Sequence, residues 1–266
     1  MAVTSTEAAA RIANIGDALA RVRGQIADAQ VRYGRAPGSV QLLAVSKTRS
    51  AQEVAAAVRA GQLSFGENQL QDAQVKLDAL ASGRLGGNGL SGQSLDWHFI
   101  GPLQSNKTRR VAEQFAWVHS IDRERVARRL SEQRPTALPP LNICIQYNVS
   151  NQTAKAGVSY DELAPLAHKT TALPNLKLRG IMVIPAPATD FDTQRKAFAQ
   201  VREAFDRLRS DGIAMDTLSM GMSGDLEAAI AEGATIVRIG TAIFGPRMEG
   251  PQMRSPRPGE SSIPGS

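Results

Sequence analysis

Lys47 closes an apolar run, "LLAVSKT" over residues 42–48, where an amine is out of place unless it has a task. A lysine at the rim of an apolar site is partly desolvated. Its pKa falls, and the free amine can then form an imine with an aldehyde. A second set of residues suits an anion. In "MGMSGDLEAAI" (220–230), Gly221 and Gly224 permit close backbone approach, and Ser223 brings a hydroxyl. The helix that follows would aim its N-terminal amides at a negative charge. That dipole contributes only about 0.3–1 kcal/mol per charge, so direct amide and hydroxyl bonds must supply most of the hold. "RIGTAIFG" (238–245) adds Arg238, the amide of Gly240 and the hydroxyl of Thr241. An amine on one side and an oxyanion cradle on the other would span a phosphorylated aldehyde. Each residue also has a plainer reading. Lys47 can be a surface charge, Ser223 and Asn68 helix caps, and Arg238 an ion-pair partner. Met220 and Met222 can be wall residues, with His98 and His119 as packing or hydrogen-bonding groups.

Holding these groups in place would fall to alternating strands and helices. Eight short runs rich in Val, Ile and Leu follow one another: "VQLLAVS", "LSFGEN", "WHFIGP", "WVHSID", "LNICIQYNVS", "LKLRGIMVIP", "DTLSMGMS" and "TIVRIGTAIFG". Ser50 with Glu53, and Ser159 with Glu162, are capping boxes that start helices just after strand ends. Phe198, Val201, Phe205 and Leu208 form an apolar stripe that Gly212 ends, and Gly233 ends "DLEAAIAE" in the same way. Ahead of the first strand, Thr4 and Glu7 make a further box. Ile12, Ile15, Leu19, Val22 and Ile26 then recur at spacings of three and four, which predicts an N-terminal amphipathic helix. Eight strands alternating with helices, at about 25 residues per unit, predict an α/β fold of the (β/α)8 TIM-barrel type. Apolar strands without strict alternation suit a parallel sheet covered by helices. The competitor is an open doubly wound sheet, but a count of eight with nothing left over favours the barrel. Strand C-termini of a barrel converge on one mouth, which would gather Lys47, Asn68, Ser120, residues 219–223 and residues 238–241. One domain is expected over residues 1–248. It would carry a flexible glycine-rich insertion at 81–94, on the face away from the mouth, and a disordered Pro/Gly/Ser-rich tail at 249–266.

The remaining composition narrows the class. The single cysteine, Cys144, lies in an apolar run, so no internal disulfide or metal cluster is expected, and a reducing, cytoplasmic compartment suits the chain. No apolar run approaches the ~18 residues of a membrane span. The N-terminus lacks the basic start and long apolar core of a secretion signal. The net charge of +6 raises the question of nucleic acid. In "NKTRR" (106–110) and "DRERVARR" (122–129), however, no aromatic residues interleave with the basic ones, and acids break up the second run. These are read as solvated helix faces, and the excess charge as favouring anionic small molecules.

Taken in order, "LLAVSKT", "FGENQLQDAQVK", "WHFIGPLQSNK", "SIDRERVARRL", "LRGIMVIPAP" and "LSMGMSGDLEAAIAEGATIVRIGTAIFG" resemble the pyridoxal phosphate homeostasis proteins, across residues 40–246. The resemblance implies a barrel similar to the N-terminal domain of alanine racemase and of bacterial-type ornithine decarboxylase. It implies pyridoxal 5′-phosphate (PLP) held as a Schiff base on Lys47, and Arg238 facing the pyridine nitrogen. Ser223, Gly240 and Thr241 would hold the phosphate, with Asn68 near the ring and Met222 alongside. An arginine at that nitrogen stays charged and keeps the nitrogen unprotonated, which weakens the ring as an electron sink. The family is regarded as buffering or delivering the cofactor without established turnover, with PLP-dependent apoenzymes as candidate recipients. The alternative is a PLP-dependent amino-acid racemase or decarboxylase. Enzymes of this fold complete their site with a β-rich second domain and a partner subunit. Only residues 249–266 follow the barrel here, so a monomer that binds without turnover is expected.

Overall fold

The computed structural model describes residues 5–82, 94–150 and 155–246. The Thr4–Glu7 box, the interior of the 81–94 segment and the 249–266 tail lie outside the described residues. The elements run α1 (Ser5–Arg32), β1 (Gln41–Val45), α2 (Ala51–Arg59), β2 (Ser64–Glu67), α3 (Leu70–Ala81) and β3 (Asp96–Phe99). They continue with α4 (Thr108–Gln114), β4 (Trp117–Ile121), α5 (Glu124–Gln133), β5 (Leu141–Tyr147), α6 (Tyr160–Thr171) and β6 (Leu176–Val183). The last five are α7 (Phe191–Ser210), β7 (Thr217–Ser219), α8 (Leu226–Ala231), β8 (Ile236–Ile239) and α9 (Thr241–Phe244).

All eight strands are parallel and close into a barrel in sequence order, with β1 pairing β8 at Leu43↔Arg238 and Ala44↔Ile239. The barrel read from the sequence is therefore the fold. Both capping boxes form as expected: Ser50 N–H donates to Glu53 Oε2 at 2.8 Å, and Ser159 N–H to Glu162 Oε2 at 2.9 Å. Ile15, Leu19, Val22 and Ile26 of α1 are buried, and the helix packs against α2, α8 and α9, covering the outside of the β1–β8 seam. Each such side chain is worth about 1.5–3 kcal/mol on burial, which holds the two strands that carry Lys47 and Arg238 together.

Every strand ends before its apolar run does, and the last two runs shorten most. The run at 235–245 pairs only to Ile239, and Thr241–Phe244 wind into α9, because beyond the barrel rim no neighbouring strand remains to pair with. Ile243 and Phe244 are buried instead under α1. The run at 216–223 pairs over Thr217–Ser219, and Gly221 at φ +98° then turns the chain across the mouth. Among the described residues no helix is long and apolar enough to cross a membrane, and no cluster of His, Cys, Asp or Glu could hold a metal ion.

Candidate functional site at the barrel mouth

Lys47, Asn68, Met222, Ser223, Arg238, Gly240 and Thr241 all line one cavity of about 430 Å³ at the C-terminal ends of the strands. Val45, Arg49, Ile100, Pro102 and Ile184 complete most of its wall. Lys47 enters it from a turn closed by Arg49 N–H donating to Ser46 O at 3.0 Å. Thr48 in that turn has φ +63°, a left-handed conformation that a β-branched residue adopts only where its surroundings impose it. Two tethers do so. Ser46 N–H donates to Gly66 O at 3.0 Å, and the Arg49 guanidinium reaches Gly245 O at 2.5 Å and Pro246 O at 3.1 Å. Asn68 follows β2 without capping α3, whose N-cap is Gln69. The Asn68 Oδ1 atom is buried with no protein donor. Gly101 beside it allows the ends of β2 and β3 to meet, since a Cβ there would stand 2.1 Å from Asn68 O.

Opposite Lys47, the 221–225 turn is closed twice: Asp225 N–H donates to Met222 O at 3.2 Å, and Met222 N–H to Asp225 Oδ1 at 2.5 Å. The N-cap of α8 is thus Asp225 and not Ser223, whose hydroxyl is left at the cavity. Among the described residues no acceptor takes the amides of Ser223, Gly224 or Gly240. With the hydroxyls of Ser223 and Thr241 they form a set of donors without a charge of their own, suited to an oxyanion. Burial raises the pKa of the Asp225 carboxyl, with the Met222 amide and Arg238 opposing that shift.

Arg238 comes from β8 and is 4% exposed. Burial pushes its pKa down to about 10. Its Nη1 donates to Ser219 O at 2.6 Å and Ser219 Oγ at 2.9 Å, and its Nη2 to Val183 O at 2.8 Å. None of these acceptors carries charge. Among the described residues no carboxylate lies within ion-pair distance of it, so the ion-pair reading of Arg238 fails. A buried cation so placed calls for an anionic or electron-rich ligand. His98 and His119 lie in the barrel core, outside the cavity wall, where they hydrogen-bond to each other at 2.9 Å. Burial drives His98 to about 3 and His119 well below 6.5. Ser120 donates to Gly101 O at 2.6 Å and also stays out of the cavity.

Residues 19–248 match the family model described as the alanine racemase N-terminal domain. A pyridoxal phosphate homeostasis protein of Pseudomonas aeruginosa is 51% identical over 236 residues, spanning 89% of this chain and 97% of that one. Its counterpart in Escherichia coli K12 is 50% identical over 234 residues, 88% and 97% of the two chains. The chain belongs to the pyridoxal phosphate homeostasis protein family. Among solved structures, PipY of Synechococcus elongatus, determined with PLP bound, is 34% identical with a TM-score of 0.74 over 87% of this chain and 100% of that one. Alanine racemase from Corynebacterium glutamicum shares the fold, at 18% identity and a TM-score of 0.64 over 89% of this chain and 62% of the racemase.

This member of the pyridoxal phosphate homeostasis family also carries a group that sequence reasoning missed. Behind Lys47, the buried Lys76 donates to Glu67 Oε1 at 2.6 Å and to Ser46 O at 2.7 Å, while Ser46 Oγ donates to the same Glu67 oxygen at 2.5 Å. Burial raises the Glu67 carboxyl pKa, and Lys76 and Ser46 oppose the rise. A signal was present: Ala73, Lys76, Leu77 and Leu80 share the inner face of α3, where a lysine among apolar residues marks a buried amine.

Proposed function

We propose that this chain binds PLP in the mouth cavity and holds it for buffering or for delivery to PLP-dependent apoenzymes, without turning over a substrate of its own. The single observation that supports this best is the meeting of Lys47 with the Ser223, Gly224, Gly240 and Thr241 donors around one cavity. The donor set fits the cofactor. Lys47 would hold its aldehyde carbon as a Schiff base, and Ser223, Gly240 and Thr241 would take the phosphate. Arg238 would face the ring nitrogen, with Asn68 and Met222 against the ring. Bound PLP would supply an electron-drawing ring. Arg238, a permanent donor, would limit that power by leaving the nitrogen without a proton.

The cavity wall also favours binding over the racemase or decarboxylase alternative. Its titratable side chains are Lys47, Arg49 and Arg238, and the two guanidiniums do not exchange protons near neutral pH. Among the described residues Lys47 alone is left for acid–base work, whereas inverting a carbon centre calls for proton carriers on both faces. We further assign one barrel domain over residues 1–248, a cytoplasmic monomer, and no nucleic-acid partner. Cys144, buried with its thiol pushed up to about 12, suits a reducing compartment. On α5 the basic face is partly neutralised, since Glu124 accepts from Arg128 at 2.5 Å and pairs with Lys169 at 2.9 Å.

The purified protein mixed with PLP is expected to turn yellow. Borohydride reduction should then fix the cofactor's mass on the peptide carrying Lys47, and Lys47→Ala should lose both signals. A protein that stays colourless, or a label on another lysine, overturns the assignment. Washout of α-deuterium from any amino acid by the PLP-loaded protein would overturn the absence of turnover.

A further inference from the structure

Beneath the cavity floor a chain of hydrogen bonds crosses the barrel from β3 to β8. His98 Nδ1 meets His119 Nε2 at 2.9 Å, His119 Nδ1 meets Ser219 Oγ at 2.8 Å, and Arg238 Nη1 donates to that same Oγ at 2.9 Å. His98, His119 and Ser219 are fully buried. The order of protons along the chain follows from two facts: a guanidinium donates and never accepts, and among the described residues the Ser219 hydroxyl has no acceptor for its own proton besides His119 Nδ1. Ser219 Oγ therefore accepts from Arg238 and turns its own proton toward His119 Nδ1. His119 is neutral, so its remaining proton sits on Nε2 and goes to His98 Nδ1. The last proton falls on His98 Nε2, which has no partner, while the His98 ring stacks on Trp117 with centroids 5.2 Å apart at 5°.

Every lone pair in this chain faces Arg238 and every proton points away. Such an array replaces water around the buried cation, and because each member is neutral it cancels none of the charge. A carboxylate in the place of Ser219 would hold the arginine as firmly and spend its charge inside the protein. We infer that Ser219 and His119, backed by His98, are positioning residues that fix the guanidinium of Arg238 toward the ligand without themselves cancelling its charge. The inference rests on the reading above, in which Arg238 faces the ring of bound PLP.

The test compares Ser219→Ala, His119→Phe and His119→Asn with the wild type, all loaded with PLP. Asn can still offer Ser219 an acceptor at the place of Nδ1, and Phe cannot. Ser219→Ala and His119→Phe are expected to weaken PLP retention by about tenfold and to move the visible absorption maximum, since a displaced guanidinium changes the field at the ring; leaving one buried partner unsatisfied is of that order. His119→Asn should restore the wild-type maximum. A merely structural contact would lower the melting temperature and leave the maximum unmoved, and that result overturns the inference. ¹⁵N NMR of the ligand-free wild type gives a second, independent reading. His98 and His119 should both show a protonated Nε2 and a bare Nδ1 at pH 7; a protonated Nδ1 on His119 overturns the relay whether or not the protein takes PLP. Wild-type protein that shows these tautomers yet never colours with PLP would sink the cofactor reading and leave the relay standing.

Discussion

Lys76 and Arg238 are both buried cations close to Lys47's cavity, and the barrel satisfies them in opposite ways. Lys76 is matched in place, 2.6 Å from a carboxylate whose side chain is as buried as its own. Arg238 has only two carbonyls and a hydroxyl, with no carboxylate in reach among the described residues. A paired charge belongs to the frame. An unpaired one, at a cavity wall, is held ready for something that enters. The contrast separates the residues that shape the Lys47 turn from those that would meet a ligand, and it does so from the protein's own charges alone.

The largest effect should come from breaking the matched pair. Glu67→Gln keeps the shape but leaves the Lys76 ammonium buried beside neutral groups. It is expected to lower unfolding free energy by about 3–5 kcal/mol, measured by urea titration of the ligand-free protein at pH 7. A loss under about 1 kcal/mol would mean that the Lys76–Glu67 pair contributes little to the frame, and the two cations would no longer differ in kind.

A smaller effect sharpens the other side of the comparison. The relay behind Arg238 is built of neutral groups, and His98 at its far end is kept neutral down to about 3. Its folded pKa lies below its unfolded one, so in acid the unfolded chain takes up a proton that the folded chain refuses. The stability from this ring is complete above pH 6.5, and declines as pH falls toward 3. The slope is about 1.4 kcal/mol per pH unit. Between pH 7 and pH 5, His98→Phe should therefore lose about 2 kcal/mol less than the wild type does. Equal losses would show that folded His98 takes up a proton as readily as the unfolded chain does.

How far this arrangement could be read from the sequence depends on the range of the interactions. The eight strands were legible because apolar runs and the Ser50–Glu53 and Ser159–Glu162 boxes are local signals, and both boxes form. The gathering of Lys47, Ser223 and Arg238 followed from barrel topology, which brings every strand end to one mouth. What escaped lies across the barrel. Nothing near His98 or His119 in sequence announces that the two rings bond to each other, or that His119 also meets Ser219, 100 positions further on. Thr241–Phe244, rich in residues that favour strands, reads as a continuation of β8; only the end of the rim makes it a helix. Ser223 looked like a cap because its type suits one, while the N-cap position falls at Asp225, whose carboxylate turns back to close the turn on Met222.

The smallest expected change separates the two cations most sharply. Arg238→Leu removes a charge that no carboxylate pairs with directly among the described residues, although Asp225 acts on it at longer range, so most of the desolvation it suffered is relieved. Against that, Ser219 O and Val183 O lose their donor, and each buried acceptor left bare costs about 1–3 kcal/mol. The terms oppose each other, and the ligand-free protein should change in stability by less than about 1 kcal/mol, as buried ions replaced by apolar residues often do. PLP retention by the same variant should fall at least about tenfold, because the ring loses the donor that Arg238 would offer it. The two measurements together decide the matter. If Arg238→Leu unfolds as readily as Glu67→Gln, the guanidinium is a strut like Lys76, and the cavity's need for an electron-rich guest loses its physical basis.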